Sequence, residues 1–131
     1  MAELTVAVVS AERALWSGAA SSVVAKTPEG DIGILPGHEP VLALLQDSPV
    51  RVTTADGSVV VVAAHGGFLS VAKDEVNIIA EVAELAADID IDRAKTALAR
   101  AQAAGEEPDE QAALKRAETR LSAASMAGIN R

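Results

Sequence analysis

Residue usage changes abruptly near residue 87, and this change constrains the fold more than any other feature of the chain. Before it, short stretches rich in β-branched residues are separated by turn residues, as in 3–9 (ELTVAVV), 21–27 (SSVVAKT) and 58–64 (SVVVVAA). After it, residues 88–128 are rich in Ala, Leu, Glu, Lys and Arg, which are strong helix formers. The change predicts an all-β part, residues 1–86, followed by a helical part, residues 87–131.

Turn signals divide the first part into hairpins. Asp56-Gly57 supplies residues that tolerate positive φ, and Lys73-Asp74 separates the stretch 68–72 from 75–82. Short strands with a turn signal roughly every 8 to 12 residues predict a sandwich or a flattened barrel, in which we interpret 58–64 and 68–72 as separate strands. Since 59–64 is apolar on both faces, it should lie centrally or be covered on its outer side.

Two helices are expected in the second part. Asp88 or Asp90 can cap the first helix, and Gly105 can close it. Pro108 can open the second helix and Gly128 can end it. Each helix carries one stripe of apolar residues at helical spacing. The stripes are Ile91, Ala94, Leu98 and Ala101 in the first helix and Leu114, Ala117, Leu121 and Ala124 in the second. A short connection makes an antiparallel hairpin.

Charge and composition exclude several classes of function. The net charge of −8 disfavours general binding to nucleic acid or to an anionic membrane surface. No apolar run reaches the length of about 18 residues that a membrane span needs. The N-terminal stretch lacks the basic region of a signal peptide, so we expect a cytoplasmic protein. Cysteine is absent, which excludes disulfides and thiolate metal sites.

Catalytic and metal sites are not expected either. The two histidines, His38 and His65, lack the spacing of a metal site, and we interpret both as structural or contact residues. No nucleophile elbow is present that would support a serine hydrolase.

The segment 30–40 (GDIGILPGHEP) is dense in glycine and proline. It lacks the Gly-Lys-Ser/Thr end of a phosphate-binding P-loop and the Gly-x-Gly of a dinucleotide fingerprint. We interpret it as a tight corner in which Gly30 and Gly33 adopt backbone angles closed to other residues, while Pro36 and Pro40 stiffen the exit. Such a rigid corner displays apolar and acidic side chains and suits a docking surface.

Taken together, four segments resemble the epsilon subunit of bacterial rotary ATP synthase. They are 8–18 (VVSAERALWSG), 30–42 (GDIGILPGHEPVL), 66–71 (GGFLSV) and the Ala-rich helical tail, and they occur in the same order along the whole chain. The resemblance implies a β-sandwich of about ten strands followed by an antiparallel helical hairpin. It also implies a non-catalytic subunit that couples rotation and inhibits ATP hydrolysis.

The same resemblance implies a set of partners. The subunit would sit in the central stalk at the cytoplasmic face of the bacterial cell membrane, bound to the gamma subunit and to the ring of c subunits. By motif position, the turn Glu29-Gly30-Asp31 would face the c ring, and Ser10 and His38 would lie against gamma. The helical hairpin would reach the catalytic alpha and beta subunits when it extends.

A regulatory ATP site is the most specific hypothesis for the helical part. Asp90 and Arg93 are three residues apart and share a helix face, and Arg100 lies two turns further along that face. Arg116 and Arg120 share a face of the second helix, so antiparallel helices would bring four guanidinium groups, which suit phosphate oxygens, to one patch. Residues 89–94 (IDIDRA) match the family's ATP-binding pattern, and the resemblance implies that Asp90 and Glu84 contact the adenosine part. The site so predicted comprises Glu84, Ile89, Asp90, Arg93, Ala94, Arg100, Arg116 and Arg120.

ATP would be a regulatory ligand rather than a substrate, because no lysine and hydroxyl pair is present to hold Mg²⁺. The inward faces of the helices are mostly alanine, which buries little area, so docking of the hairpin is expected to be weak. One alternative is a stand-alone β-sandwich module that recognises a nucleotide or a peptide, and a second is a small hydrolase. Co-purification with a membrane-bound complex separates the first alternative from a synthase subunit.

Overall fold

The computed structural model describes residues 3–104 and 108–126 as seven strands followed by helices. The strands are β1 (Leu4–Ser10), β2 (Ala14–Thr27), β3 (Gly30–Ile34), β4 (Val41–Leu44), β5 (Ser48–Thr54), β6 (Val59–Ala72) and β7 (Glu75–Leu85). A 3₁₀ turn (Ala86–Asp88) leads into α1 (Ile91–Ala104), and α2 spans Pro108–Met126. The predicted order of an all-β part and two helices is confirmed. The predicted helix ends at Gly105 and Gly128 lie outside the described residues.

The expected count of about ten strands was too high, since the described residues form seven. The stretches 58–64 and 68–72, which we expected to be separate strands, belong to the single 14-residue strand β6. Strand β2 also runs for 14 residues and begins at Ala14, well before the expected start at residue 21. A long strand that bends can serve two faces of a sandwich, so fewer strands enclose the core.

The sheet closes on itself. Its order is β1-β7-β6-β5-β2-β3, β4 pairs with β6, and β1 also pairs with β2. Strand β1 runs parallel to β7 and antiparallel to β2, while the other pairs are antiparallel. The result is a flattened barrel or sandwich with an aliphatic interior. Its largest fully buried side chains are Leu4, Val6, Val8, Val23, Ile34, Val50, Val52, Val62, Leu69, Val71, Val76 and Ile78.

The β6–β7 ribbon turns over at Gly66 and Gly67. Before this point the even-numbered residues Val62 and Ala64 point into the main core, and after it the odd-numbered residues Leu69 and Val71 do so. The pairing with β7 keeps the same register throughout. Both glycines have positive φ, +73° and +123°. A Cβ atom on Gly67 would lie 2.1 Å from the carbonyl oxygen of Ile79, so only glycine fits. The ribbon thereby moves from the layer beside β5 to the layer beside β4.

The segment GDIGI is strand β3 rather than a corner. Gly30 has a φ of +124° at its start, but Gly33 has no positive φ and pairs with Val24 inside the strand, so the prediction for Gly33 was wrong. The reason is the alternation of Ile32 and Ile34, which favours a strand over a loop. The turn lies just before it, where the Thr27 hydroxyl donates to the carbonyl oxygen of Gly30 at 2.9 Å.

The helices lie on the outside of the sheet. Helix α2 packs against β5 and β6, and α1 packs against α2. Ala123 of α2 forms a small buried cluster with Val61 and Ala63 of β6 and with Ala86 and Ile89. Val61 and Ala63 are thus covered on the outer side of the stretch 59–64, as its two-sided apolar pattern predicted, whereas Val59 at its start is exposed. Of the predicted helix stripes, the alanines at 94, 101, 117 and 124 are buried, whereas the three leucines are only half-buried.

Candidate functional site

A pocket of about 560 Å³ lies between the two helices and the end of β7. This volume is within the range of roughly 300–1,000 Å³ that is usual for small-molecule sites. Its wall comes from the last residues of β7, the entry to α1, the first half of α1 and the second half of α2. The lining residues are Glu84, Asp88, Asp90, Arg93, Ala94, Thr96, Ala97, Arg100 and Arg120.

The start of α1 places the first part of the wall. The Asp90 carboxylate accepts a hydrogen bond from the backbone N–H of Arg93 at 3.0 Å, so Asp90, rather than Asp88, caps the helix. Arg93, Ala97 and Arg100 follow at spacings of four and three residues and therefore share one face of α1. No hydrogen bond or ion pair holds the Arg93 and Arg100 side chains within the part of the chain that the structure describes.

One carboxylate oxygen of Glu84, on β7, contacts side chains from both α2 and β6. This atom, Oε1, accepts a hydrogen bond from Nε of Arg120 on α2 at 2.6 Å and lies 3.1 Å from Nε2 of His65 on β6. The His65 ring is 4% exposed, while the side chains of Glu84 and Arg120 are 31% and 28% exposed. Glu84 therefore forms the boundary between the pocket and the buried ring beneath it.

The surroundings of His65 favour its neutral form. Burial lowers the pKa of His65 below its ordinary value of 6.5, and the charge of Arg120 lowers it further, against the opposing effects of Glu84 and Asp47. Since a carboxylate oxygen only accepts, the neutral ring carries its proton on Nε2 and donates it to Glu84. Nδ1 is buried and has no hydrogen-bond partner among the described residues.

Six of the eight residues predicted for the ATP site line this pocket. They are Glu84, Asp90, Arg93, Ala94, Arg100 and Arg120. Ile89 instead lies in the buried cluster between α2 and the sheet, where it is 8% exposed. Arg116 is half-buried on α2, one turn before Arg120, and is not part of the wall. Three guanidinium groups therefore converge on the pocket.

Asp88, Thr96, Ala97 and His65 were not predicted for the site. Ala97 follows Arg93 by four residues, so helical spacing alone pointed to it. His65 could not be predicted from helical spacing, because its contact with Glu84 depends on how β6 and β7 are paired. In the observed register His65 lies opposite Val82, two residues before Glu84.

The charges of the wall are balanced. Three carboxylates, from Glu84, Asp88 and Asp90, stand with three guanidinium groups, from Arg93, Arg100 and Arg120. Guanidinium groups donate to phosphate oxygens, whereas carboxylates accept from amino and hydroxyl groups. The pocket thus suits a ligand that carries phosphate at one end and hydrogen-bond donors at the other. Within residues 3–104 and 108–126, no group of three or more acidic or histidine side chains is placed to hold a metal ion.

A second exposed feature is an apolar row on the outer face of the sheet. Leu44 pairs with Phe68, Phe68 pairs with Ile79, and Ile79 pairs with Val9, so the four residues form one line across β4, β6, β7 and β1. Leu44, Phe68 and Ile79 are 68%, 38% and 39% exposed, and Leu42 beside them is 72% exposed. We call Val9, Leu44, Phe68 and Ile79 the apolar row.

The residues predicted to contact partners lie at three places, namely the end of β1, the turn after β3 and the β2–β3 turn. Ser10 directly follows Val9 of the apolar row, and its hydroxyl bonds to the carbonyl oxygen of Arg13 at 3.2 Å. His38 is half-buried in the turn after β3, where its Nδ1 lies 2.7 Å from the carbonyl oxygen of Glu39.

The loop that carries His38 is fastened to the β6–β7 turn, because the Gly37 N–H donates to the Asp74 carboxylate at 2.7 Å. Glu29, Gly30 and Asp31 are all exposed at the β2–β3 turn. None of the helices in the described ranges is long and apolar enough to cross a bilayer.

Comparison with known proteins gives consistent matches. Residues 3–86 match the model of the family described as ATP synthase, Delta/Epsilon chain, beta-sandwich domain. The ATP synthase epsilon chain of Streptomyces avermitilis is 49% identical over 124 residues, which is 95% of this chain and 97% of that protein. The ATP synthase epsilon chain of Rhodococcus opacus is 57% identical over 100 residues, covering 76% and 82% of the two chains.

A similar fold occurs in a chain of the cryo-EM structure of the Euglena gracilis mitochondrial ATP synthase that comprises OSCP, F1 and the c-ring. The TM-score is 0.75 at 24% sequence identity, and the match covers 99% of this chain and 83% of that one.

Proposed function

This chain belongs to the ATP synthase epsilon-chain family, and on that basis we propose that it is a non-catalytic subunit of the central stalk of a proton-translocating ATP synthase. In this proposal residues 1–86 form the platform that docks on the gamma subunit and the c ring, and residues 87–131 form a regulatory helical unit. The complex holds the subunit at the cytoplasmic face of the bacterial cell membrane, and the subunit itself does not enter the bilayer.

The apolar row is the observation that carries the stalk assignment. Three of its four side chains, from Leu44, Phe68 and Ile79, are exposed and Val9 is half-buried, and a line of exposed aliphatic and aromatic side chains on an outer sheet face is typical of an interface. Ser10 adjoins the row, which supports its proposed contact with gamma together with His38. A stand-alone nucleotide-binding module would also need the pocket, but it would have no partner protein to cover the apolar row.

The exposed turn Glu29-Gly30-Asp31 is the proposed contact with the c ring. Two carboxylates on a tight turn pair well with basic groups on a polar loop, and such rim charges set orientation and association rate more than affinity. The turn is held by its own hydrogen bonds, from the Glu29 N–H to the Thr27 hydroxyl at 3.2 Å and from that hydroxyl to Gly30. A contact of this kind needs little reordering on assembly.

Phe68→Glu is expected to weaken assembly strongly. It places a carboxylate in the centre of the apolar row, and loss of a central aromatic anchor is worth ~2 kcal/mol, or roughly thirtyfold in affinity. The measurement is titration of the purified chain into an epsilon-depleted synthase, with both ATP hydrolysis and coupled proton transport as readouts. Val59→Glu is the matched control, since Val59 is 51% exposed on the same strand but outside the row. Equal half-saturation concentrations for the two variants would show that the apolar row is not part of the interface.

The pocket supports the second part of the proposal, that ATP is a regulatory ligand of the helical unit. Arg93, Arg100, Asp90 and Glu84 all line the pocket. In this proposal the two guanidinium groups donate to phosphate oxygens and the two carboxylates accept from the adenosine part. ATP bound between α1, α2 and β7 would favour the folded hairpin over an extended one that reaches the catalytic alpha and beta subunits. Extended helices inhibit ATP hydrolysis in this scheme.

Arg93→Ala should lower the affinity of the isolated chain for ATP by at least about tenfold, because a charge-assisted hydrogen bond is worth roughly 1.5–3 kcal/mol. The cap of α1 is kept, since Asp90 binds the backbone N–H of residue 93. Isothermal titration calorimetry measures the change. Lys115→Ala, which removes the same charge from an exposed position of α2 outside the pocket, is the control. Identical affinities for the two variants would refute the assignment of Arg93 to the phosphates.

A further inference from the structure

The contact between α2 and the sheet contains one polar centre in an otherwise apolar interface. Val61, Ala63 and His65 alternate along β6 on the face that α2 covers, and Ala123 of α2 packs on the first two. The third position is the buried His65 ring, which is hydrogen-bonded to the Glu84 carboxylate that Arg120 of α2 also binds. Docking of α2 therefore encloses a titratable group.

Among the described residues, three charged groups act on this ring. Glu84 lies on β7, Arg120 on α2, and Asp47 on the connection between β4 and β5. The two acids favour a charged ring, whereas burial and Arg120 oppose it more strongly. A proton added at Nδ1 would create an N–H group with no acceptor among the described residues and a cation beside Arg120, both sharing one carboxylate.

We propose that His65, Glu84 and Arg120 form a proton-sensitive latch, which holds α2 on the sandwich while His65 is neutral and releases it when His65 is protonated. The latch works without nucleotide, and it shares Glu84 and Arg120 with the wall of the ATP site proposed above. It adds the proton as a ligand that acts on the position of the hairpin, so that acidification and loss of nucleotide drive the helices in the same direction.

The direction in which pH changes the docking of α2 follows from the pKa of His65 in the docked and undocked forms. When α2 leaves, the ring loses both causes that lower its pKa, burial and Arg120, and returns toward its ordinary value of 6.5. The docked form thus binds fewer protons than the undocked form. Docking has its full strength above the ordinary value and weakens as the pH falls from there to the lowered pKa of the docked form. Within that window the docking equilibrium changes by up to about tenfold for each pH unit.

A distance measurement on the full chain tests the latch. Because the chain has no cysteine, Ala55→Cys at the β5–β6 turn and Ser125→Cys on α2 give a single labelled pair for fluorescence energy transfer. In nucleotide-free buffer the docked population should fall between pH 7 and pH 5, and His65→Gln, whose amide can still donate to Glu84 but cannot be charged, should remove this fall. A docked population that stays constant, or that falls equally in His65→Gln, would overturn the proposal.

A second measurement needs no change at His65. Titration of the two histidine rings by NMR should give His65 a pKa below its ordinary value in the native chain and close to that value in a chain whose α2 has been displaced by Ala123→Asp. His38, which lies in the turn after β3 away from α2, serves as the internal reference. The same His65 pKa in both chains would contradict the latch, whatever the outcome of the ATP measurements.

Discussion

Replacing Gly67 with alanine is expected to abolish stable folding of the sandwich. The new Cβ would lie 2.1 Å from the carbonyl oxygen of Ile79 and 2.6 Å from the Cα of Ala80, and both are backbone atoms of the paired strand that cannot rotate away. The residue must also keep a φ of +123°, which L side chains rarely adopt. Backbone strain alone costs roughly 1–3 kcal/mol, and the clash forces β6 and β7 apart at the point where the ribbon turns over.

Gly30→Ala is the matched control for this prediction. Gly30 has nearly the same φ, +124°, but a Cβ there would meet nothing within 4 Å. The control therefore contains the backbone strain without the clash. Urea unfolding followed by circular dichroism should show a moderate loss of stability for Gly30→Ala and a loss of at least about 4 kcal/mol for Gly67→Ala, which is a large fraction of the roughly 5–15 kcal/mol that stabilises a typical domain. Similar midpoints for the two variants would mean that the close approach at Gly67 is absent.

The fold class was predictable because two independent signals agreed. The β-branched stretches and the Ala-rich tail differ in intrinsic preference and in hydrophobic period, and the structure separates them at the 3₁₀ turn Ala86–Asp88. Local turn chemistry was also informative: Lys73 and Asp74 both have positive φ, at 51° and 63°, as the turn between β6 and β7 requires.

The strand count was not predictable, since a pair of glycines ends a strand in most sequences. In this chain Gly66 and Gly67 instead let one strand continue into the other layer of the sandwich. The choice between these outcomes depends on the partner strand, whose register carries through the glycines unchanged.

Part of the candidate site was likewise predictable from the sequence, and part of it was not. Helical spacing correctly grouped Asp90, Arg93 and Arg100, because their relative positions depend only on α1. Which face of α2 points to the pocket depends on how the helix packs on the sheet. The spacing of Arg116 and Arg120 along the sequence gives no information about that packing. Ala123, outside the predicted stripe, packs on the sheet, and with α2 in this position Arg120 lines the pocket while Arg116 does not.

Ala123→Asp is expected to release α2 while leaving the sandwich folded. Ala123 is fully buried between α2 and the apolar face formed by Val61, Ala63, Ala86 and Ile89. No cation belongs to this cluster, and Arg120, one turn earlier on α2, is already bound to Glu84. The new carboxylate would therefore be left without a partner, and an uncompensated buried charge costs about 3–5 kcal/mol. The alanine-lined contact supplies little area to offset that cost, so the docking equilibrium should shift by a hundredfold or more, at ~1.4 kcal/mol for each factor of ten.

Four readouts follow from this release, with Ser122→Asp as the control because Ser122 is exposed and directly precedes Ala123. Limited proteolysis should cut the helical unit of Ala123→Asp faster, whereas the urea midpoint of the sandwich should match that of Ser122→Asp. Binding of ATP to the isolated chain should be lost in Ala123→Asp alone, because the pocket needs Arg120 of α2 opposite Arg93 of α1. In a reconstituted synthase the same variant should inhibit ATP hydrolysis more strongly, since extended helices are the inhibitory form in the proposed scheme. Protection of α2 equal to that in the control would show that docking tolerates the charge and is stronger than its alanine packing implies.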